Sequence, residues 1–553
     1  MHLKQLFFLG SLTLASPSPT IDLGYAKYRG AVDPHTNITS FLGVRYAAAP
    51  TGAARFRAPR PPETARGVQD ATKQPAQCWQ VDTVGTLTTN PLRGVPMARA
   101  EQQHVIRQRE VSNVSSEDCL FLSVYYPGRD TPPRAGPLPV VVWIHGGGYY
   151  LGSSSQFRGS DLIKAAGEDI VVVIIQYRLA LFGFLAGREV GAGGDLNAGL
   201  LDQQFALRWV QKHISKFGGD PARVTIFGES AGGGSVVQHI VADGGNTSPP
   251  LFNAAISSSP FMISQYRYNE RVPQSVYNAV VARTGCAMAK DSLGCLRELP
   301  AEALQEANVY LSANTFLGTY AFTPVTGGSL IRENPMAALK NGRINGRSTL
   351  VLANSHEGRI FVNTSLPVAR SVSAYALELY PNLPGEYIPQ MEEVYRDVGS
   401  TADKIIALYG DTVFDCPAYA LLNAVSQAAN TKNATSAAYK AALAIPPANH
   451  GGDLQYYFPS LAIDVPVLAY PEFFADARFV HALAGALLAF AARGDPNDVT
   501  DTIAPRWAPW GAGRTEMVFN RDGGKPDVRP GRTDGRVLER CRFWDGIGEF
   551  IGH

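Results

Sequence analysis

The chain is 553 residues long and 45% hydrophobic, enough for a large buried core. Its 49 basic and 48 acidic residues leave a net charge of +1 with the signs interspersed, so nothing electrostatic points to a nucleic acid or a charged membrane as partner. Length alone would suggest three or four domains, yet no Gly/Ser or Pro linker, repeat or charge block divides the chain, and a single domain over residues 16–553 is the expectation.

The amino terminus reads MHLKQLFFLGSLTLASPSPT, an early lysine, an apolar stretch from Leu6 to Ala15, then small residues and prolines. This is the pattern of a secretory signal peptide over residues 1–15, too short to span a bilayer, and no later segment is expected to be a transmembrane helix. Sequons at Asn37, Asn113, Asn246, Asn363 and Asn433 fit passage through a glycosylating route.

The first chemistry-bearing element is LPVVVWIHGGGYYLG, in which an apolar strand, Val140 to Ile144, runs into His145, Gly146, Gly147 and Gly148. This HGGG cluster suits backbone amides that point inward at a developing oxyanion, with Gly147 and Gly148 as donors and His145 as scaffolding. The next, FGGDPARVTIFGESAGG, ends a β-branched and aromatic strand at Gly228 and sets Ser230 between Gly228 and Gly232. It reads as a nucleophile elbow: a sharp turn strains the backbone at the serine, and a Cβ at either glycine would collide with neighbouring chain. Ala231, the residue after the serine, would supply a third oxyanion amide. The alternative reading is a glycine-rich turn with a capping serine.

A serine nucleophile needs a base, and the base an acid. In STLVLANSHEGRIFV a strand ends just before Glu357, where carboxylates are well placed because open α/β sheets gather their sites beyond the carboxyl ends of strands. Among ten histidines, His450 in IPPANHGGDLQYYF follows a proline-rich approach and precedes two glycines and Asp453, a loop fit to carry an imidazole over a sheet. His35, His104, His213, His239 and His481 have no such setting, and His356 beside the acid has no role the chemistry requires. The chain order Ser230, Glu357, His450 is that of an α/β hydrolase. The segments 251–340 and 363–449 look helical and are expected to cap the sheet. Six cysteines in a secreted chain suggest three disulfides, in any of fifteen pairings, and no CxxC or HExxH spacing suggests a metal.

Together with FLGVRYAAAPTGAARFRAPRPP (41–62), EDCLFLSVYYP (117–127) and GDPND (494–498), these motifs make the chain resemble the type B carboxylesterases, the family of fungal lipases, animal carboxylesterases and cholinesterases. The resemblance implies an α/β-hydrolase fold, a large, mixed but mostly parallel sheet flanked by helices with helical cap insertions, and cofactor-free ester hydrolysis through an acyl enzyme. It also implies disulfides Cys78–Cys119, Cys286–Cys295 and Cys416–Cys541, the first bounding a flap over residues 79–118.

In family lipases that flap carries an amphipathic lid, but here its middle, PLRGVPMARAEQQHVIRQRE, has no continuous apolar face. This favours a soluble carboxylesterase over a lipase or sterol esterase, and the resemblance implies aryl and hydroxycinnamoyl (feruloyl, chlorogenic) esters as candidates beside simple short-chain esters. A cholinesterase would need a choline-binding tryptophan well inside the flap, and Trp79 stands directly beside Cys78 instead. Glu229 matches an acidic residue found beside the nucleophile in many esterases, and Phe261 and Phe316 are candidate pocket walls. A noncatalytic cholinesterase-like binding module is the rival from another class, disfavoured because every triad and oxyanion position is filled.

Overall fold

The structure is a computed structural model and describes residues 18–93, 115–129, 136–432, 437–461, 473–511 and 513–553. The leader, the middle of the flap with its charged residues, and the sequons Asn113 and Asn433 lie outside the described residues. The three remaining sequon asparagines, Asn37, Asn246 and Asn363, are exposed.

Among the described residues, eleven strands form one sheet. In chain order they are β1 (Ala31–Asp33), β2 (Ile38–Arg45), β3 (Phe121–Pro127), β4 (Leu138–Ile144), β5 (Val171–Ile175), β6 (Gly219–Glu229), β7 (Ala254–Ser258), β8 (Ser348–Asn354), β9 (Ala438–Leu443), β10 (Thr515–Asp522) and β11 (Lys525–Arg532). Their spatial order is β11-β10-β9-β8-β7-β6-β4-β5-β3-β2-β1. The seven strands from β10 to β5 are mutually parallel, and antiparallel strands close both edges. A separate three-stranded sheet is formed by Thr20–Asp22, Lys27–Arg29 and Val68–Asp70.

Why the central strands read as unbroken apolar runs follows from their two covered faces. Val140, Val142 and Ile144 of β4 point into one core while Val141 and Trp143 point into the other, and β5 alternates in the same way. Every residue from Val140 to Ile144 is fully buried, and each such side chain stabilises the fold by about 1.5–3 kcal/mol. Helices α1 (Ala198–His213) and α2 (Ala231–Gly245) cover the first face. Above the sheet, α3 (Thr401–Gly410) leads through a π-helical turn, Asp411–Asp415, into α4 (Cys416–Lys432). Helix α5 (Ala477–Arg493) covers the second face, and α6 (Gly535–Gly546) closes the chain against the π turn.

The run Thr401–Ala429 is long and apolar enough to cross a membrane, but 72% of its apolar window is buried inside the protein, as befits a core helix. The segments expected to be excursive are mainly helical, with one correction at each end: 251–340 begins with β7, and 363–449 ends with β9, a central strand. The sequence of β9, AYKAAL, is alanine-rich and carries little β signal, so the neighbouring strands decide its conformation.

Three disulfides, Cys78–Cys119, Cys286–Cys295 and Cys416–Cys541, account for all six cysteines. The third links α4 to α6 across 125 residues of sequence. A loop that long lowers the entropy of the unfolded chain most, so replacing Cys416 and Cys541 together by serine should cost roughly 4–5 kcal/mol. A denaturation midpoint unchanged from wild type would contradict this.

Candidate active site

Four strand ends converge on one spot: β4 delivers the glycine cluster, β6 Ser230, β8 Glu357 and β9 the loop bearing His450. Ser230 is held at φ 58°, ψ −125°, a conformation rarely open to a residue with a side chain, and its amide donates to Ser258 O at 3.0 Å. The turn closes only because its flanks are bare. A Cβ on Gly232 would run into Ile144 O, and one on Gly228 into Gly232 O. Helix α2 therefore starts directly against β4, with Ser230 at its N-cap position.

His450 Nε2 lies 2.8 Å from Ser230 Oγ, and Nδ1 lies 2.6 Å from Glu357 Oε2. All three residues are buried. The acid turn and the base loop are joined by their neighbours, since His356 N donates to Ala448 O and His356 pairs with Asn449 as an isolated β-bridge. His356 itself faces solvent, its ring bonded to Pro447 O. Of the other described histidines, His239 is bound to Gln203 Oε1, His213 packs on Trp209, and His35 and His481 are exposed.

Glu357 is fixed through its other oxygen. Oε1 accepts from Asn354 N at 2.6 Å and from Ser259 Oγ at 2.7 Å. Of the serines that end β7, Ser257 turns away from the acid and donates its hydroxyl to Gly233 O. Ser259 is the one that reaches the acid, because it stands one residue past the strand and turns back at φ 45°. Asp453 forms a second buried layer, accepting from Ser258 Oγ, Asn354 Nδ2 and Tyr457 OH.

Gly147 (φ 100°) and Gly148 (φ 62°) both hold left-handed backbone, and Gly147 O ties the loop by accepting from Tyr150 N and Leu151 N. Among the described residues the amides of Gly147, Gly148 and Ala231 donate to no protein acceptor, the state expected of an oxyanion hole in waiting. His145 is buried with its ring stacked on Tyr177, and burial pushes its pKa down to about 4, which suits a structural group.

Electrostatics set the base. Burial alone would lower the His450 pKa, but the carboxylates of Glu357 and Glu229 more than offset it and the net shift is upward. Glu229 Oε1 lies 3.3 Å from His450 Nε2 and makes no hydrogen bond to any described residue. Burial, reinforced by Asp453 and Glu357 and opposed by His450, pushes the Glu229 carboxyl up to about 8.

The imidazole sits among aromatic rings that sequence reasoning missed. Phe414 is 4.7 Å and Phe361 5.0 Å from the His450 ring, centroid to centroid. Phe361 is four residues past Glu357 on a single tight turn, a spacing that could have flagged it, whereas Phe414 sits on the π turn and has no sequence signal. Phe261 belongs to the same cluster, 5.7 Å from Phe414, and its amide donates to Ser230 O. Phe316 does not: it is fully buried with its ring against Tyr375, a core residue rather than a pocket wall. Trp79 stacks on Phe182. Among the described residues no group of three His, Cys, Asp or Glu side chains is arranged to hold a metal.

Comparison with known proteins gives the geometry a context. The profile of the Carboxylesterase family (COesterase) matches residues 17–537. Carboxylesterase patB of Aspergillus clavatus is 30% identical over 98% of this chain and 100% of its own. Secreted lipase 1 of Botryotinia fuckeliana is 28% identical over 91% of this chain and 88% of its own. The crystal structure of Aspergillus niger EstA superposes with a TM-score of 0.81 at 30% identity, covering 97% of this chain and 99% of that one.

Proposed function

Since this chain belongs to the carboxylesterase family and is a carboxylic ester hydrolase, we propose that Ser230, His450 and Glu357 carry the reaction, with Gly147, Gly148 and Ala231 as oxyanion donors. The observation that carries this reading is the unbroken hydrogen-bonded series Ser230–His450–Glu357 beneath free backbone amides. His450 Nε2 takes the proton of Ser230 Oγ as it attacks the ester carbonyl, and the three amides hold the oxyanion. The tetrahedral adduct collapses to an acyl enzyme, and the alcohol leaves with the proton from Nε2. Water then attacks by the same route and releases the acid. Glu357 holds Nδ1–H throughout and stabilises the imidazolium.

The substrate class is proposed as short-chain or aryl esters, hydroxycinnamoyl esters included. The aromatic surround of His450 supports a flat apolar substrate arm. Secretion is part of the proposal too, supported by the three disulfides and by the relative named Secreted lipase 1, with Asn37, Asn246 and Asn363 as exposed glycan acceptors. The test is a panel: p-nitrophenyl acetate and palmitate, emulsified triglyceride, methyl ferulate and a choline ester. Activity confined to the soluble short-chain and aryl esters supports the reading, and activity that climbs at the emulsion interface replaces it with a lipase.

The base must be neutral to act, and its folded pKa is raised. The acid limb of kcat/KM should therefore fall above pH 6.5, the ordinary histidine value, with activity lost as pH drops through it. A limb well below pH 6 in a pH–rate profile would contradict the charge environment described above.

A further inference from the structure

The π turn Asp411–Asp415, between α3 and α4, is pinned by groups that take no part in the reaction. At its first residue, the buried carboxylate of Asp411 accepts from Arg540 Nε at 2.5 Å and Nη2 at 3.2 Å and from Tyr395 OH at 2.7 Å. Tyr395 OH in turn accepts from Trp544 Nε1 at 2.9 Å, so both Arg540 and Trp544 of α6 bear on this one acid. Thr412 Oγ1 accepts from Tyr380 OH at 2.5 Å, and Val413 O accepts from Met262 N at 2.9 Å. Directly after the turn, Cys416 is bonded to Cys541, the residue next to Arg540.

What the pinned turn presents is Phe414. Its side chain is fully buried, and its ring lies 4.7 Å from the His450 imidazole, with Phe361 at 5.4 Å and Phe261 at 5.7 Å around it. A π turn holds one residue more than an α turn, equivalent to about 100° of rotation, so a turn that relaxed to regular helix would swing position 414 off the base. A buried ion pair is weak grounds for stability, since desolvation offsets much of its attraction. The use of this one is geometric, because a guanidinium fork fixes direction as well as distance.

We infer that Arg540 is a positioning residue of the esterase: paired with Asp411, it holds the π turn in the register that seats Phe414 on His450, and Phe414 keeps water off the base. This rests on His450 being the base, as proposed above. The charges facing the imidazole are Glu357 beyond β8, Glu229 at the end of β6 and Asp453 on its own loop. The acids of the π turn face elsewhere, Asp411 to Arg540 and Asp415 to Lys440 of β9. Water admitted beside the ring relieves the burial that disfavours the imidazolium, whereas Glu357, in contact at 2.6 Å, keeps its hold. The base then charges at higher pH.

The test is a set of pH–rate profiles on p-nitrophenyl acetate for the full chain, for Phe414→Val, for Asp411→Asn with Arg540→Met, which removes both charges and strands neither, and for all three substitutions together. The ring variant and the charge-free variant should each move the acid limb of kcat/KM up by about half a pH unit and lower the plateau kcat about tenfold. The combined variant should do no more than either, because both act through one ring. Glu229 titrates in the same range, so only the displacement between variants that leave the carboxylates intact is read. A charge-free variant that melts earlier yet keeps the wild-type limb, or effects that add in the combined variant, overturns the assignment. Should the charge-free pair fail to fold, Arg540→Lys, which keeps the charge and loses the fork, takes its place under the same two criteria. Failure of the underlying reading is seen separately, as the absence of any Ser230-dependent hydrolysis of p-nitrophenyl acetate.

Discussion

Replacing Ser230 with alanine should lower kcat on p-nitrophenyl acetate by a factor of about 10⁵–10⁶ while leaving the protein folded. The structure explains why both halves of that expectation go together. Among the described residues Ser230 Oγ has a single partner, His450 Nε2, so its removal leaves no other group unsatisfied that a water could not serve. The strain at φ 58° belongs to the backbone and is enforced by Ser258 O and the bare faces of Gly228 and Gly232, so alanine inherits it unchanged. What is lost is the covalent route. His450 could still activate a water and the oxyanion amides could still bind charge, which sets a residual rate above the uncatalysed one. Near wild-type turnover in a folded Ser230→Ala protein would move the nucleophile elsewhere.

How much of this was legible in the sequence depends on whether a residue acts through local geometry or through contacts made across the fold. The elbow was readable because its demand is local: one serine in forbidden backbone requires small neighbours at fixed offsets, and Gly228 and Gly232 stand where a Cβ would strike the chain. The strand before each motif was readable because two covered faces force a continuous apolar run, as in Val140 to Ile144. Strand β9 was hidden because AYKAAL has helix-forming composition and is held extended by β8 and β10.

The surroundings of the base were hidden for a related reason. Phe414 reaches His450 from a π turn whose Asp411 is held by Tyr395 and by Arg540, a residue 129 positions away on α6. No periodicity announces such an arrangement, since a π turn inserts one residue into an otherwise regular helix. Ser259 was not legible because the direction of a side chain just past a strand end depends on a single backbone angle.

Glu357→Gln is the substitution with the next largest expected effect, a loss of about 10⁴ in kcat, and the hydrogen bonds around the acid dictate its mechanism. Two oxygens of Glu357 have different duties: Oε1 accepts from Asn354 N and Ser259 Oγ, and Oε2 faces His450 Nδ1. The Asn354 amide is a backbone donor and cannot become an acceptor, so glutamine must keep its carbonyl oxygen on that side. Its NH₂ group is then turned toward Nδ1. Facing a donor, the imidazole places its proton on Nε2 and offers Nδ1 as acceptor, which is the tautomer that cannot receive the Ser230 proton. The charge that raises the His450 pKa is removed in the same step, so the acid limb of the pH profile should move down as the rate falls. The combined result, a large drop in kcat, a lower-lying acid limb and little change in KM, distinguishes a wrong tautomer from a damaged pocket. A Glu357→Gln protein that kept the wild-type limb and lost only affinity would show that Glu357 does not govern the proton on His450.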